Sequence, residues 1–313
     1  MSQTSTAPSA PARRRPRRSA APYLLAAPFM LLFAAFYLLP IGYAVWESLH
    51  RRVQSGGFGF SVPTVSFVGL DNYARVFGDE AFLRGTVRVI VFGCVQVPVM
   101  LGAALALALI LDSGVERLRR LFRYVRIIAF LPYAVPGVIA AIMWGFLYSP
   151  GISPFADVLS RTPLGPVKFL SQGATLWSIG NIVTWSWTGY NMLIVFAALQ
   201  AIPRDILEAA RTDGASEVGV AWRIKIPMLV PALVLTAVFS IIGTLQLFTE
   251  PAVLSKLTGS VDSAYTPNLM AYTAAFVSND TYYSAALSVS IALIAFLLSF
   301  VLLRATWRRA MAV

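Results

Sequence analysis

Six long apolar stretches constrain the fold of this chain more than any other feature of its sequence. They cover residues 23–46, 89–111, 127–148, 176–199, 229–248 and 285–303. Each is long enough to cross a bilayer, which takes about 20 mostly apolar residues in a helix, and none has a charged residue in its interior. Only 12% of all residues are charged, well below the share of about 25% in soluble domains. The sequence therefore predicts an all-α membrane protein with six transmembrane helices.

An arginine-rich segment precedes the first apolar stretch. Residues 1–21 contain five arginines between positions 13 and 18. We expect them to form a disordered basic tail, followed by one membrane domain over residues 22–313. Such a start is also typical of a secretory signal peptide, whose apolar core is only about 7 to 15 residues long. Because the stretch here is longer and continues to Pro40, we interpret it as an uncleaved first span.

The lysines and arginines predict the orientation of the chain in the membrane. With six spans and the N-terminus inside, the inner segments hold 17 of the 25 Lys and Arg residues and the whole net charge of +11. Cytoplasmic segments of membrane proteins generally carry such an excess. Both termini are therefore predicted to be cytoplasmic. The basic composition is explained by this orientation in the membrane, and nucleic-acid binding is not needed to account for it.

The segment between the fourth and fifth apolar stretches, residues 201–227, differs from the other loops because it carries eight charged side chains. Placing these charges in the bilayer would cost on the order of 20 kcal/mol. The segment must therefore lie in water or against another protein.

The local pattern of residues 201–227 predicts two short helices. Asp205 can cap the first, and Glu208 stands three residues later, as in a capping box. Gly214 suits the position that ends this helix. Ser216 can cap the second helix, which we expect to end near the proline at position 227 because proline cannot continue the backbone hydrogen bonding.

An apolar stripe is predicted on the second short helix. Val218, Trp222 and Ile226 recur every four residues, so they share one face. An exposed apolar stripe requires a partner surface, whereas a stripe packed on the ends of its own spans does not. The composition alone leaves both interpretations open.

The residue pattern of this segment resembles the EAA loop of ABC importer permeases. That pattern is Glu-Ala-Ala, three residues, Gly, nine residues, Ile, one residue, Leu and Pro. The chain matches it with Glu208, Ala209, Ala210, Gly214, Ile224 and Pro227, departs from it only at Ile226, and has Asp213 before the glycine as many sugar permeases do. On this match, the chain is identified as a member of the maltose and glycerol-phosphate type of carbohydrate permease. Residues 201–227 are called the EAA segment below.

The resemblance extends over about residues 23–303. The stretch after the first span and the third span both match patterns of these permeases, through Gly69, Leu70, Asn72, Tyr73, Leu131, Pro132, Pro136 and Trp144. Two places differ. Gly259, Ser260 and Val261 stand where relatives often have Gly-Gly-Pro, and Arg88 and Val89 stand where many have Asn-Thr. Because of these differences the sequence does not identify the cargo, but they do not affect the resemblance to the family.

The resemblance implies a type I ABC importer permease in the bacterial inner membrane, crossing it several times. In this family a second permease, here expected to form a heterodimer, and an ATPase dimer complete the transporter. An extracytoplasmic solute-binding protein delivers the cargo, which we expect to be a sugar or sugar-like solute. Glu208 and Gly214 are implied to carry the coupling to the ATPase, with Ala209, Ala210 and Asp213 in the same contact.

The chain is not expected to be an enzyme. A nucleotide-binding P-loop requires a Gly-Lys step, and the three lysines, Lys168, Lys225 and Lys256, all follow other residues. ATP and Mg²⁺ are therefore expected on a partner ATPase, and this chain is expected to bind no cofactor or metal. Cys94 is the only cysteine and His50 the only histidine. We interpret Cys94 as a small buried hydrophobic residue and His50 as an ordinary interfacial residue at an outer boundary.

Neutral polar and aromatic side chains in the fourth and fifth stretches are candidates for a cargo path. They are Trp185, Tyr190, Asn191, Thr244 and Gln246. Aromatic rings and amides suit an uncharged polyhydroxylated solute, although the same residues also serve helix packing. Ion-coupled transporters place carboxylates or histidines within their spans, and the six stretches contain none. A secondary transporter, an ABC permease for another kind of solute and a membrane scaffold remain the alternatives.

Overall fold

Helices form most of the described part of the chain in the computed structural model, which describes residues 21–54, 63–112, 119–163, 165 and 167–310. The helices are α1 Ala21–Phe33, α2 Leu39–Ser48, α3 Asp71–Gly78, α4 Glu80–Asp112, α5 Arg119–Ala134, α6 Gly137–Tyr148, α7 Pro154–Ser160, α8 Thr175–Gln200, α9 Arg204–Thr212, α10 Glu217–Val220, α11 Ile226–Leu245, α12 Thr249–Leu254, α13 Pro267–Phe276 and α14 Thr281–Ala310. Two π-helical turns, Ala34–Leu38 and Ala221–Lys225, join α1 to α2 and α10 to α11. The predicted basic tail, apart from its last residue, lies outside the described residues.

Five helical segments are long and apolar enough to cross a membrane. They are Tyr23–Ser48, Glu80–Asp112, Thr175–Gln200, Glu217–Leu254 and Thr281–Ala305. A sixth crossing is possible if Arg120–Ala134 and Gly137–Tyr148 count as one span. The prediction of a helical membrane protein with up to six spans is confirmed. The side on which the termini lie stays a prediction.

The third predicted span is not one continuous helix. The chain bends by 97° between α5 and α6, and Pro136, with ψ of 130°, precedes the first residue of α6. Proline lacks the N–H that would continue the helix, and it disfavours helical geometry at the residue before it. The apolar composition of residues 127–148 predicted one span and could not show this bend.

The described residues fall into two units, one before Val45 and one from Val45 onward. In the first unit, the rings of Phe29, Phe33 and Tyr37 stack one helical turn apart, with centroid distances of 6.1 and 5.4 Å. In the second unit, α4 packs along α8. Small residues such as Ala104 and Ala108 are fully buried there against Met192, because small side chains let helix backbones approach closely within a membrane. Cys94, also on α4, lies on an exposed face, so the prediction that it is buried is wrong.

A two-stranded hairpin, absent from the all-α prediction, follows α2. Strands β1 His50–Gln54 and β2 Pro63–Phe67 pair antiparallel. The buried side chain of Asn72 holds the base of this hairpin. Its Nδ2 donates to the carbonyl oxygens of Ser48 and His50, both at 2.8 Å, and its Oδ1 accepts from the Arg51 guanidinium at 3.1 Å. Asn72, one of the residues that carry the family resemblance after the first span, therefore acts as a structural clamp on the hairpin.

Replacing Asn72 with alanine is expected to lower the free energy of unfolding by about 1–3 kcal/mol, because two carbonyls and a guanidinium lose a buried partner. Thermal unfolding in detergent and limited proteolysis of the hairpin measure the effect. The exposed neighbour Asp71, changed to asparagine, is the control and should behave like the unmodified protein. Equal stability of the two variants would contradict the clamp.

Candidate functional site

The first half of the EAA segment is a helix closed by glycine. Helix α9 ends at Thr212, and Gly214 has a φ of +82°, a left-handed conformation that glycine adopts without steric cost. The amide of Gly214 donates to the carbonyl of Arg211 at 3.0 Å, and that of Ala215 donates to the carbonyl of Ala210 at 3.0 Å. These bonds satisfy carbonyls at the helix end. The structure therefore has the predicted glycine termination.

The predicted caps of the two short helices have different outcomes. Ser216 caps α10, since its Oγ accepts from the amide of Gly219 at 3.2 Å. Asp205 does not cap α9, so that prediction is wrong. Pro203 occupies the N-cap position without a side-chain hydrogen bond, and Asp205 lies in the first turn. The fixed φ of proline starts the helix earlier than the sequence pattern suggested, and the carboxylate of Asp205 is left to interact with the helix dipole.

Pro227 does not end the second helix of the EAA segment, contrary to the prediction. The chain passes through the π-helical turn Ala221–Lys225 directly into α11, where Pro227 lies in the first turn. The amide of Ile226 donates to the carbonyl of Ala221, five residues back. Proline has no N–H to donate, and the π-helical turn directly before it is a local irregularity of the kind that accommodates such a residue within a helix. As a result, α10 is joined rigidly to the fifth apolar span.

Two ion pairs hold the EAA segment. Arg211 on α9 donates to both carboxylate oxygens of Glu217 on α10, at 2.7 and 3.2 Å. Accepting these bonds, Glu217 raises the pKa of Arg211 above its ordinary value. Lys225 donates to Asp112 at the end of α4 at 2.5 Å, and Gln200 at the end of α8 donates to the same carboxylate at 2.7 Å. Side-chain exposure is 6% for Lys225 and 14% for Asp112, so this second pair is buried.

The apolar stripe of the second short helix is exposed at two of its three positions. Val218 and Trp222 are both 68% exposed, whereas Ile226 is half-buried. The interpretation in which the stripe packs on its own spans is therefore wrong for Val218 and Trp222. The other predicted coupling residues are likewise divided between exposed and half-buried positions. Glu208, Ala209, Asp213 and Gly214 are exposed, and Ala210, Ile224 and Pro227 are half-buried.

An inter-span cavity of about 320 Å³ lies between α4, α8, α11 and α12. Four of the five predicted cargo-path residues line it, namely Tyr190, Asn191, Thr244 and Gln246. The fifth, Trp185, is not among the lining residues and packs edge-on against Trp144, with ring centroids 5.7 Å apart. Trp187 lines the cavity in its place. Residues two positions apart on a helix do not share a face, and only one of these two tryptophans lines the cavity.

Further polar residues that line this cavity, among them Gln96 and Glu250, were missed by the sequence reasoning. Gln96, buried in the middle of α4, donates to Thr184 at 3.4 Å and accepts from Thr244 at 3.5 Å. It is a lone amide in a long apolar stretch, and this signal could have identified it. Glu250, on α12, also lines the cavity. The sequence placed it just beyond the fifth span, and only the turn before α12 brings it to the cavity.

The residues at the two places where the sequence differs from the family pattern make contacts within this chain. Arg88 donates to the carbonyl of Tyr265 at 2.8 Å, and its guanidinium lies 4.3 Å from the centre of the Tyr265 ring. Ser260 donates to the carbonyl of Leu170 at 2.9 Å, and Val261 is buried in the core. Both positions therefore have structural explanations. Among the described residues, no group of three or more His, Cys, Asp and Glu side chains is placed to hold a metal ion.

Long apolar helices around a partly polar cavity, with an exposed helix pair continuing into one of them, define a polytopic membrane transport subunit. The profile of the family described as "Binding-protein-dependent transport system inner membrane component" matches residues 99–310. The chain belongs to this family, and it is a permease subunit of an ABC importer and a multi-pass protein of the bacterial inner membrane. The family expected from the EAA segment is therefore confirmed.

Individual relatives agree with this assignment. The chain is 31% identical over 271 residues to the sn-glycerol-3-phosphate transport system permease protein UgpA of Agrobacterium fabrum, covering 86% of this chain and 88% of that protein. It is 30% identical over 290 residues to the UgpA protein of Escherichia coli, covering 90% and 92%. These relatives are transport permeases.

Solved structures show the same fold. A chain of a bacterial alginate ABC transporter, in complex with an alginate pentasaccharide-bound periplasmic protein, superposes with a TM-score of 0.78 at 19% identity, covering 93% of this chain and 95% of that one. A chain of the MetNI methionine ABC transporter in an inward-facing conformation superposes with a TM-score of 0.56 at 18% identity, covering 73% and 96%. The type I importer fold is therefore confirmed.

Proposed function

We propose that this chain forms half of the translocation pathway of an ATP-driven importer for an uncharged carbohydrate or similar polyol. A second permease, forming a heterodimer with this chain, supplies the other half, and an extracytoplasmic binding protein delivers the cargo. The EAA segment docks on an ATPase dimer, which binds ATP and Mg²⁺. The observation that carries this proposal is the exposed apolar pair Val218 and Trp222 on a helix that continues into a span.

Coupling to the ATPase follows from the rigidity of the EAA segment. The exposed ion pair between Arg211 and Glu217 links α9 to α10, and the helix runs from α10 through the π-helical turn into α11 without a break. A movement of the ATPase against Trp222 is therefore transmitted to the fifth span without being absorbed by a flexible loop. Rigid-body movement of packed helices is a common way to switch between conformations.

Changing Trp222 to alanine is expected to reduce co-purification of the ATPase subunits at least tenfold, because large aromatic side chains dominate the binding energy of interfaces. Quantitative pull-down of the ATPase from detergent extracts measures this. Trp177, also exposed but outside the EAA segment, provides the control in the Trp177→Ala variant. Unchanged ATPase retention by the Trp222→Ala variant would exclude this docking surface.

The lining of the inter-span cavity supports an uncharged cargo. The residues that line it in the described part of the chain include amides, hydroxyls and the rings of Phe92, Trp187 and Tyr190, but no lysine or arginine. Among the described lining residues, Glu250 is the one acidic side chain. The UgpA relatives are named for sn-glycerol-3-phosphate, whose phosphate would find no cationic partner among these lining residues. A sugar hydroxyl, in contrast, can donate to Glu250 and to the amide oxygen of Gln96.

Replacing Gln96 with leucine is expected to lower ATP-dependent uptake about tenfold while the ATPase stays bound, because the cavity loses an amide that meets cargo hydroxyls. The measurement is uptake into proteoliposomes of the solute held by the cognate binding protein. Gln172, an exposed loop amide, is the matched control as Gln172→Leu. If uptake by the Gln96→Leu variant equals that of the control, the cavity is not the cargo path. If uptake follows a proton or sodium gradient without ATP, the chain is a secondary transporter instead.

A further inference from the structure

A second cavity, of about 560 Å³, lies under the EAA segment and is distinct from the inter-span cavity. The ends of α4, α5, α8 and α9 surround it. Its ionisable lining residues are Arg126, Arg204, Arg211, Lys225, Asp112 and Glu208. We call it the basic cavity. The proposed coupling and transport functions do not use its interior, and its volume is in the range of small-molecule sites.

Two of the four cations of the basic cavity are already neutralised. Lys225 pairs with Asp112, and Arg211 pairs with Glu217. Arg126 and Arg204 make no ion pair within the part of the chain that the structure describes. Two free cations therefore face the cavity.

The free carboxylate of the basic cavity does not balance these two cations. Glu208 is exposed on α9 and forms no ion pair with any described residue. It offsets only one of the positive charges of Arg126 and Arg204. The cavity therefore keeps a net positive charge and favours an anionic occupant.

Arg126 is the residue that most clearly lacks a partner. Its guanidinium carbon lies 4.0 Å from the centre of the Phe196 ring, so the group is held in a fixed orientation. Its Nε is buried and has no hydrogen-bond partner. A buried N–H without an acceptor costs free energy. An anion in the cavity would supply that acceptor, and the planar guanidinium suits phosphate oxygens in particular.

The helix that carries Arg126 has the composition of a membrane-interface helix. On α5, the side chains of Leu121, Tyr124, Ile127 and Ile128 are exposed apolar groups, while Arg123 is also exposed. Arginines beside exposed apolar residues place a helix at the level of the lipid headgroups. Basic pockets between helices at this level bind anionic lipid headgroups.

We propose that the basic cavity binds a phosphate-bearing anion, with Arg126 and Arg204 as its ligands. The phosphate belongs either to a phospholipid headgroup or to a free anion. Its occupation ties the middle of α5 to the start of α9, so the ligand sits directly behind the EAA segment. This site does not depend on the identity of the cargo or on docking of the ATPase.

Native mass spectrometry of the purified transporter, reconstituted with phosphatidylglycerol in phosphatidylcholine, tests the proposal. We expect one phosphatidylglycerol to be retained, and its affinity to fall about tenfold in Arg126→Gln and in Arg204→Gln, since each loses a charge-assisted hydrogen bond. Added inorganic phosphate distinguishes the two sources. Displacement of the lipid by phosphate identifies a free-anion site, whereas retention identifies a headgroup site.

Arg123→Gln is the matched control because Arg123 lies on the same helix but does not line the cavity. The Arg126→Lys variant keeps the charge without the guanidinium and should fall between the wild type and Arg126→Gln. Partial binding by this variant would also show that a substitution at position 126 does not abolish binding through misfolding. Equal loss in Arg123→Gln and Arg126→Gln would reduce the effect to general surface charge. That result, or no binding of either probe, overturns the proposal.

Discussion

Replacing Asp112 with alanine is expected to destabilise the protein by roughly 3–5 kcal/mol, because the buried ammonium of Lys225 loses its partner. The carboxylate joins three elements, since it accepts from Lys225 at the start of the fifth span and from Gln200 at the end of α8. Its loss should also separate the EAA segment from α4 and lower ATP-dependent uptake. Thermal unfolding in detergent and uptake into proteoliposomes are the measurements.

The control for this prediction is an exposed ion pair in the same chain. Arg75 contacts Asp280 at 2.9 Å, but its side chain is 51% exposed, and it also lies over the Tyr283 ring. Arg75→Ala should therefore cost only about 1 kcal/mol. The double variant Asp112→Leu with Lys225→Met should recover most of the lost stability, since it leaves no unpaired buried charge. If Asp112→Ala unfolds at the same temperature as Arg75→Ala, the buried pair does not hold the segment.

Changing Gly189 to alanine is expected to destabilise the protein by about 3 kcal/mol. A Cβ at this position would overlap the carbonyl oxygen of Ala129 and lie 2.5 Å from its carbonyl carbon and 2.9 Å from the Cα of Phe130. All three are backbone atoms of α5, so no side chain can move aside and the helices must separate. Separation also displaces Tyr133, whose ring stacks on Tyr190 at 4.7 Å, so uptake should fall together with stability.

The control for Gly189 is Gly102 on α4, where a Cβ would meet no atom within 4 Å. Gly102→Ala should leave stability unchanged or raise it by up to about 1 kcal/mol, because alanine favours a helix over glycine. Unfolding temperature and uptake are measured for both variants. Equal behaviour of the two would show that α5 and α8 are not held at the distance seen here.

The sequence predicted best those features that depend on local chemistry. The membrane class follows from apolar length, and the end of α9 at Gly214 and the cap at Ser216 follow from the conformational preferences of those residues. The family followed from the spacing between Glu208 and Pro227. None of these conclusions requires knowledge of which helices are neighbours.

The features that the sequence did not predict depend on tertiary context. The same residue type has opposite effects at two places, since Pro136 accompanies a 97° bend, whereas Pro227 is absorbed into a continuing helix. The backbone around each proline decides which occurs. The inter-span cavity likewise combines Gln96 with Thr244 across 148 positions of the chain. A search for polar groups confined to the fourth and fifth spans could not find such a pair.

The π-helical turn Ala221–Lys225 sets the angular register between the exposed stripe and the fifth span. A π-helical turn accommodates one residue more than an α-helical turn, and each residue advances an α-helix by about 100°. Loss of one residue here would restore regular α-helical bonding and rotate Val218 and Trp222 about 100° around the axis of α11. The direction in which this permease presents its apolar pair is therefore determined by a single residue of chain length, independently of which side chains the turn contains.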